Sequence, residues 1–161
     1  MVETNSAAMT LTKPSDREIV FTRVFDAPRA LVFKVYTEPN LIPQWWGPRG
    51  FTTVVDKMDV TPGGVWRFVH HRPDGNEYAF NGVYREVVPP ERLAYTFEFE
   101  GMPGHMLLET VTFEDHDGQT KVTARALFDT AEDRDGMLKS GMEKGAAESW
   151  DRFAELLQTM A

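Results

Sequence analysis

The stretch Val65-Trp66-Arg67-Phe68-Val69-His70-His71-Arg72-Pro73-Asp74-Gly75-Asn76 decides the fold of this chain. Its first seven residues place large aromatic side chains at every second position, which predicts a strand with one buried face. The Pro-Asp-Gly-Asn segment that follows is typical of a tight hairpin turn. Because a hairpin joins antiparallel neighbours, we expect a second strand over residues 77–88 to run back beside the first.

The same pattern of strand and turn continues in both directions from this hairpin. Further strands are predicted over residues 17–25, 51–60, 92–100, 106–114 and 119–128, separated by turns rich in Pro, Gly or Asp. After residue 25, apolar residues at helical spacing predict a helix with Asp26 as its N-cap and Pro28 in its first turn. The chain is therefore predicted to be an α+β domain with a seven-stranded antiparallel sheet.

The C-terminal segment 130–160 contains no proline and predicts one long helix. Its apolar stripe consists of Met142, Ala146, Trp150, Phe153 and Leu157. Three glycines weaken the first half of this helix. An antiparallel sheet with one apolar face needs a cover, and this helix is the only element long enough to provide it. A sheet that curves around the helix would leave a cavity between them.

Length and composition restrict the class of protein. The chain has 161 residues, and we expect a flexible polar tail at 1–15 followed by a single domain at 16–161. It has no cysteine, which excludes disulfides, thiolate catalysis and cysteine-based metal sites. The net charge of −8 argues against nucleic acids and anionic membranes as partners. We expect no membrane insertion and a cytoplasmic location, because neither a spanning apolar run nor a secretory signal pattern is found.

Strand alternation predicts an aromatic inner face with room for a ligand. The predicted lining comprises Trp66, Phe68, His70, Phe80, Tyr84, Tyr95 and Phe97 from the strands, and Met142, Ala146 and Trp150 from the helix. Trp45 and Trp46 lie in a loop rich in Pro and Gly, which cannot bury such rings within a helix or strand. We expect them at the mouth of the cavity; the alternative is that each ring caps the core.

Glu109 is the polar exception on the inner face, because it has the same parity as the apolar residues of its strand. A buried carboxylate needs hydrogen-bond donors. The candidate donors are Tyr78, Tyr84, Tyr95, His70 and Arg23. Glu109 and His70 are also the candidates for acid–base catalysis. The alternatives are that Glu109 lies in water or an ordinary ion pair and that His70 is a hydrogen-bonded core residue. No metal-ligand spacing and no phosphate-binding loop occurs, so we expect no metal and no cofactor.

Several motifs, taken in order, carry a family resemblance. They include Arg23-Val24-Phe25-Asp26-Ala27-Pro28, Trp45-Trp46-Gly47-Pro48, Pro62-Gly63-Gly64-Val65-Trp66 and Pro89-Pro90-Glu91-Arg92-Leu93. The chain resembles bacterial homologues of the C-terminal domain of the activator of heat-shock protein 90 ATPase, in the START-like, Bet v 1-like (SRPBCC) superfamily. The resemblance covers about residues 17–160. It implies a helix-grip fold: a seven-stranded antiparallel sheet wrapped around a long C-terminal helix, two short helices after the first strand, and a deep apolar cavity.

The resemblance leaves three hypotheses about function. The leading one is a START-like protein that binds an apolar or aromatic small molecule in its cavity. The second is a cyclase- or hydrolase-type enzyme that uses Glu109 or His70. The third is a co-chaperone or other protein-interaction module that uses an exposed loop at Trp45 and Trp46. Heat-shock protein 90 is not an expected partner, because the chain is too short for the second domain of the eukaryotic namesake; a homodimer stays an open alternative. Many relatives have Gly-Trp where this chain has Gly145-Ala146, which implies a reshaped cavity.

Overall fold

The computed structural model describes residues 9–160. The elements in chain order are β1 (Thr10–Thr12), β2 (Glu18–Phe25), α1 (Arg29–Thr37), β3 (Thr52–Met58), β4 (Val65–His71), β5 (Glu77–Val88), β6 (Arg92–Phe99), β7 (Leu107–His116), β8 (Gln119–Phe128), α2 (Ala131–Lys139) and α3 (Met142–Met160). A short 3-10 helix, Ile42–Gln44, follows α1. The predicted α+β helix-grip architecture, with two short helices near the start, is confirmed.

The strands form one antiparallel sheet in the order β1-β2-β8-β7-β6-β5-β4-β3. Neighbouring strands from β3 to β8 are joined by short turns, so each packs beside its predecessor. β2 pairs with β8 over its whole length and brings the two ends of the chain together. The predicted count of seven strands was one too low, because β1 adds an eighth.

β1 lies within the segment that was predicted to be a flexible tail. Its residues Thr10–Thr12 pair with residues 20–22 of β2. Two threonines with a leucine between them suit an extended strand, and pairing satisfies backbone groups at what would otherwise be the free edge of β2. Residues 1–8 of the predicted tail lie outside the described residues.

The helix termini differ from the prediction in two places. Pro28, whose φ is −69°, is the N-cap of α1, and no side chain caps this helix, so Asp26 does not have the predicted role. The predicted long C-terminal helix is broken into α2 and α3 at Gly141, whose φ of +84° is incompatible with continued α-helix. Thr130 begins α2 by accepting a hydrogen bond from the Asp133 amide at 3.0 Å.

The two halves of α3 pack differently against the sheet. All of its buried residues, Trp150, Phe153 and Leu157, lie from the middle of the helix onward. The ring of Phe153 is 4.9 Å from Phe25 and 4.7 Å from Trp45, measured between centroids. Residues 142–149, which include Met142 and Ala146, contain no buried residue. The densest core therefore lies under one end of the helix, and the other end covers the sheet more loosely.

Candidate functional site

Side chains of α3 hold the tryptophan loop, residues 43–49, in place. The Gly47 amide donates to Ser149 Oγ at 3.1 Å, and the Ser149 hydroxyl donates to the Trp45 carbonyl at 3.0 Å. The Arg152 guanidinium donates to the carbonyls of Gly47 at 2.9 Å and Pro43 at 3.3 Å. Because a loop with few internal hydrogen bonds needs partners for its buried backbone groups, these contacts fix its position over the sheet.

Trp45 is a core residue and does not lie at the mouth of a cavity. Its side chain is 2 % exposed. Its indole N–H donates to the Val35 carbonyl at 3.1 Å, and its ring packs against Tyr36 and Phe153. The predicted position at the mouth of a cavity was wrong for Trp45, whose ring caps the core as the alternative proposed. The helices α1 and α3, which are distant in sequence, enclose a ring that its own loop cannot bury.

Trp46 points in a different direction and covers one end of the aromatic inner face. Its half-buried ring lies 4.8 Å from His70, 5.0 Å from Phe68 and 5.4 Å from Phe80, measured between ring centroids. The Trp46 carbonyl accepts a hydrogen bond from the Thr53 hydroxyl at 2.7 Å. Trp46 therefore forms a lid over β4 and β5.

His70 lies beneath this lid and is 5 % exposed. Its Nε2 is buried and has no hydrogen-bond partner among the described residues. Burial lowers the pKa of His70 to about 4, with a smaller contribution from the positive charge of Arg152. A methyl group added at Gly47 would be 2.6 Å from Nε2, so the loop backbone sits directly on the ring. His70 is thus a neutral, covered side chain and not an accessible catalytic base.

Glu109 faces inward from β7, as the strand alternation predicts. The Tyr95 hydroxyl donates to its Oε2 at 3.2 Å. Burial raises the pKa of Glu109 to about 7, and the hydrogen bond from Tyr95 opposes that rise. Among the predicted donors only Tyr95 bonds to this carboxylate; Arg23 pairs with Asp151 instead, at 2.8 Å. The carboxylate therefore has one donor and no basic partner among the described residues.

Two further tyrosines belong to the same cluster. Tyr84 and Tyr95 are paired across β5 and β6, with ring centroids 5.8 Å apart. The Tyr36 hydroxyl accepts a hydrogen bond from the Trp150 indole at 3.2 Å. Burial and the negative charge of Glu109 raise the pKa of both Tyr36 and Tyr95. Sequence reasoning missed Tyr36, whose position on the apolar stripe of α1 indicates only a core residue.

Glu109 and His70 lie at separate parts of the sheet. The register pairs Glu109 with Tyr95, Tyr95 with Tyr84, and His70 with Tyr78. Tyr78 and Tyr84 are six residues apart on β5, which corresponds to about 20 Å along a strand. The two predicted catalytic candidates therefore do not share one reaction centre.

The predicted lining residues divide into two groups by accessibility. Those with at most 5 % exposure are Trp66, Phe68, His70, Tyr84 and Trp150. Those that stay half-buried are Phe80, Tyr95, Phe97, Glu109, Met142 and Ala146. Two depressions on the protein surface, of about 350 and 490 Å³, lie elsewhere, and no predicted lining residue borders either of them.

Two further observations on the described residues concern metal ions and membranes. Residues 9–160 contain no group of three His, Cys, Asp or Glu side chains arranged to hold a metal ion. None of the helices in this part of the chain is long and apolar enough to cross a membrane.

Comparison with known proteins gives the family. The model of the activator of Hsp90 ATPase homolog 1-like proteins matches residues 26–158. The chain belongs to this family. Comparison with curated proteins finds no match. The family assignment confirms the resemblance seen in the ordered motifs of the sequence.

Solved structures support the same fold. A Rhodobacter sphaeroides protein aligns with a TM-score of 0.89 at 24% identity, over 94% of this chain and 99% of its own. A Staphylococcus epidermidis protein aligns with a TM-score of 0.80 at 27% identity, over 95% and 96% of the two chains. DynU16, described as a putative protein in the dynemicin biosynthetic locus, aligns with a TM-score of 0.66 at 22% identity, over 91% of this chain but 48% of its own.

Proposed function

We propose that this member of the family binds a small apolar or aromatic molecule between the N-terminal half of α3 and the sheet. The observation that carries the proposal is the half-buried state of inward-facing side chains there, including Tyr95, Phe97 and Ala146. A side chain that faces the interior and yet keeps accessible surface borders space that solvent or a small molecule can enter. Proteins leave few such spaces without a use, because close packing is favourable.

Small residues on α3 support the same location. A methyl group added at Gly145 would lie 3.9 Å from Pro48 of the tryptophan loop and would meet no other atom outside its own helix within 4 Å. The next residue is Ala146, which is half-buried. A tryptophan at position 146 would direct a large ring toward the sheet and fill this space. The Trp46 lid forms one wall, and the aromatic side chains of β5 and β6 supply apolar surface for a ligand.

The proposal is tested by titrating the protein with apolar and aromatic compounds. Quenching of tryptophan fluorescence identifies a compound that binds, because Trp46 and Trp66 border the proposed site. Calorimetry then compares its affinity for the wild type and for Ala146→Trp. We expect at least a tenfold loss in the variant, since a ring of this size displaces the ligand.

Lys144→Trp is the matched control, because it adds the same ring to an exposed position on the same helix. We expect it to bind like the wild type. Unchanged affinity in Ala146→Trp, with a thermal unfolding temperature close to that of the wild type, would place the ligand elsewhere. No saturable binding of any compound would overturn the proposal.

Catalysis is a second candidate function, and Glu109 is the observation that favours it. A carboxyl group whose pKa is near 7 can both donate and accept a proton at neutral pH. Tyr95 holds that group in place through its hydroxyl. Once a ligand is found, a Glu109→Gln variant that binds it normally but no longer converts it would support an acid–base role. Equal rates of conversion by wild type and variant would show that Glu109 is not the acid–base group.

A further inference from the structure

The inward-facing, half-buried carboxylate of Glu109 has a single hydrogen-bond donor, and this restricts the chemistry of a ligand. A carboxylate can accept about four hydrogen bonds. Within residues 9–160, Glu109 has one donor, the Tyr95 hydroxyl at 3.2 Å. A buried charge is tolerated when it is paired and hydrogen-bonded. A ligand group that contributes positive charge and several N–H donors would complete this site.

The surroundings of Glu109 contain no competing positive charge. Tyr95 of β6 bonds to it, the charge of Glu109 acts on Tyr36 of α1, and Tyr84 of β5 lies beside Tyr95. β8 places Ala126 opposite it, and the first three residues of the apolar stripe of α3, Met142, Ala146 and Trp150, are uncharged. No lysine, arginine or histidine among the described residues forms an ion pair with it. The site therefore carries between zero and one negative charge and has no group that could pair with an anion.

Aromatic rings beside a carboxylate are typical of sites for organic cations. Ring faces attract an ammonium group electrostatically, and this attraction increases when water is excluded. Tyr84 and Tyr95 lie edge to face, and the Trp66 ring centroid is 5.9 Å from that of Tyr95. The same arrangement disfavours fatty acids and other carboxylates, because two like charges in a poorly solvated space repel each other.

We propose that the ligand is an organic cation: a protonated amine on an apolar or aromatic skeleton, whose ammonium group pairs with Glu109 among Tyr36, Tyr84 and Tyr95. The inference rests on the proposed ligand-binding function and specifies its chemistry. The skeleton occupies the space under Met142 and Ala146, where the lining is apolar.

The inference is tested with isosteric probes on two skeletons. The first set is 2-naphthylmethylamine, 2-naphthalenemethanol and 2-naphthoate, and the second is hexylamine, hexanol and hexanoate. Calorimetry at pH 8 should show that whichever amine binds more tightly does so at least tenfold more tightly than the alcohol on the same skeleton. The two carboxylates should not bind measurably. An alcohol that binds as tightly as its amine would overturn the cation inference and leave the ligand-binding proposal intact. If none of the six probes binds, the result would count against the cation inference and against the ligand-binding proposal.

The pH dependence provides a second readout that requires no variant. Amine binding requires an ionised Glu109, and an alkylamine keeps its proton up to about pH 10, like lysine. Ionisation of Glu109 near pH 7 predicts that amine affinity falls about tenfold from pH 8 to pH 6, whereas alcohol affinity does not. Amine affinity that is constant over this range would contradict the inference.

Two variants complete the test. Glu109→Gln should lose both the preference for the amine and its pH dependence while it still binds the alcohol, because glutamine keeps the shape of the side chain without its charge. Glu114→Gln is the matched control, since Glu114 is exposed on the opposite face of the same strand. It should behave like the wild type. A preference for the amine that persists in Glu109→Gln would overturn the assignment of Glu109 as the partner of the cation.

Discussion

Replacement of Glu109 by glutamine should stabilise the protein at alkaline pH and have little effect in acid. Burial moves the pKa of Glu109 from its ordinary 4.5 to about 7, so the folded protein holds this proton more tightly than the unfolded chain does. Stability is therefore lost as pH rises from about 4.5 to 7, and the loss corresponds to about 3 kcal/mol. Glutamine has no charge to bury and can still accept the hydrogen bond of Tyr95.

The assay is urea unfolding of wild type and variant at intervals from pH 4.5 to pH 8.5, followed by circular dichroism. The free energies of unfolding should be similar at pH 4.5, and the variant should be more stable by about 3 kcal/mol at pH 8. Comparison with the wild type cancels the titration of other groups, and Glu114→Gln should follow the wild type throughout. A difference between variant and wild type that does not change with pH, or a variant less stable at pH 8, would refute the reasoning.

Two further outcomes follow from the tryptophan loop. His70→Leu should make the protein less sensitive to acid. The pKa of His70 is about 4 in the folded protein and 6.5 in the unfolded chain, so the free energy of unfolding of the wild type falls by about 3 kcal/mol as pH drops from 6.5 to 4. The variant lacks this titrating group and should not show that loss. Parallel acid unfolding curves for the two proteins would contradict this. Gly47→Ala should destabilise more than Gly50→Ala, by about 1–3 kcal/mol in thermal or urea unfolding. Both glycines have positive φ, but only at Gly47 would the added methyl group meet His70; equal losses would show that the ring moves aside freely.

Alternation along the strands made much of the inner face predictable. Successive side chains of a strand point to opposite faces, so parity alone places Glu109 and Tyr95 on one side. Which donor reaches the carboxylate was not predictable, because it depends on register between strands. A bulge-like irregularity between Tyr84 and Glu86 shifts the register of β5 against β6, and no residue pattern in the local sequence predicts its position.

Two of the errors arise from contacts between distant parts of the chain, and a third from local backbone conformation. Trp45 is buried by α1 and α3, and no property of the loop itself reveals these neighbours. β1 is three residues long and owes its structure to the edge of β2, so its own sequence carries a weak signal. The break at Gly141 was indicated by glycine content, but its position depends on the φ adopted there.

The clamp between the tryptophan loop and α3 also has a consequence for the order in which the molecule assembles. The Gly47 amide and the Ser149 hydroxyl that accepts from it are separated by 102 residues of chain. During synthesis the loop emerges long before the helix that holds it, since a chain appears from its N-terminus. The contacts that hold the Trp46 lid over β4 and β5 are therefore incomplete until α3 has been made and docked. An intermediate that lacks α3 therefore exposes the aromatic face of β4 and β5, and docking of α3 both completes the fold and covers the apolar surface on which unfolded chains aggregate.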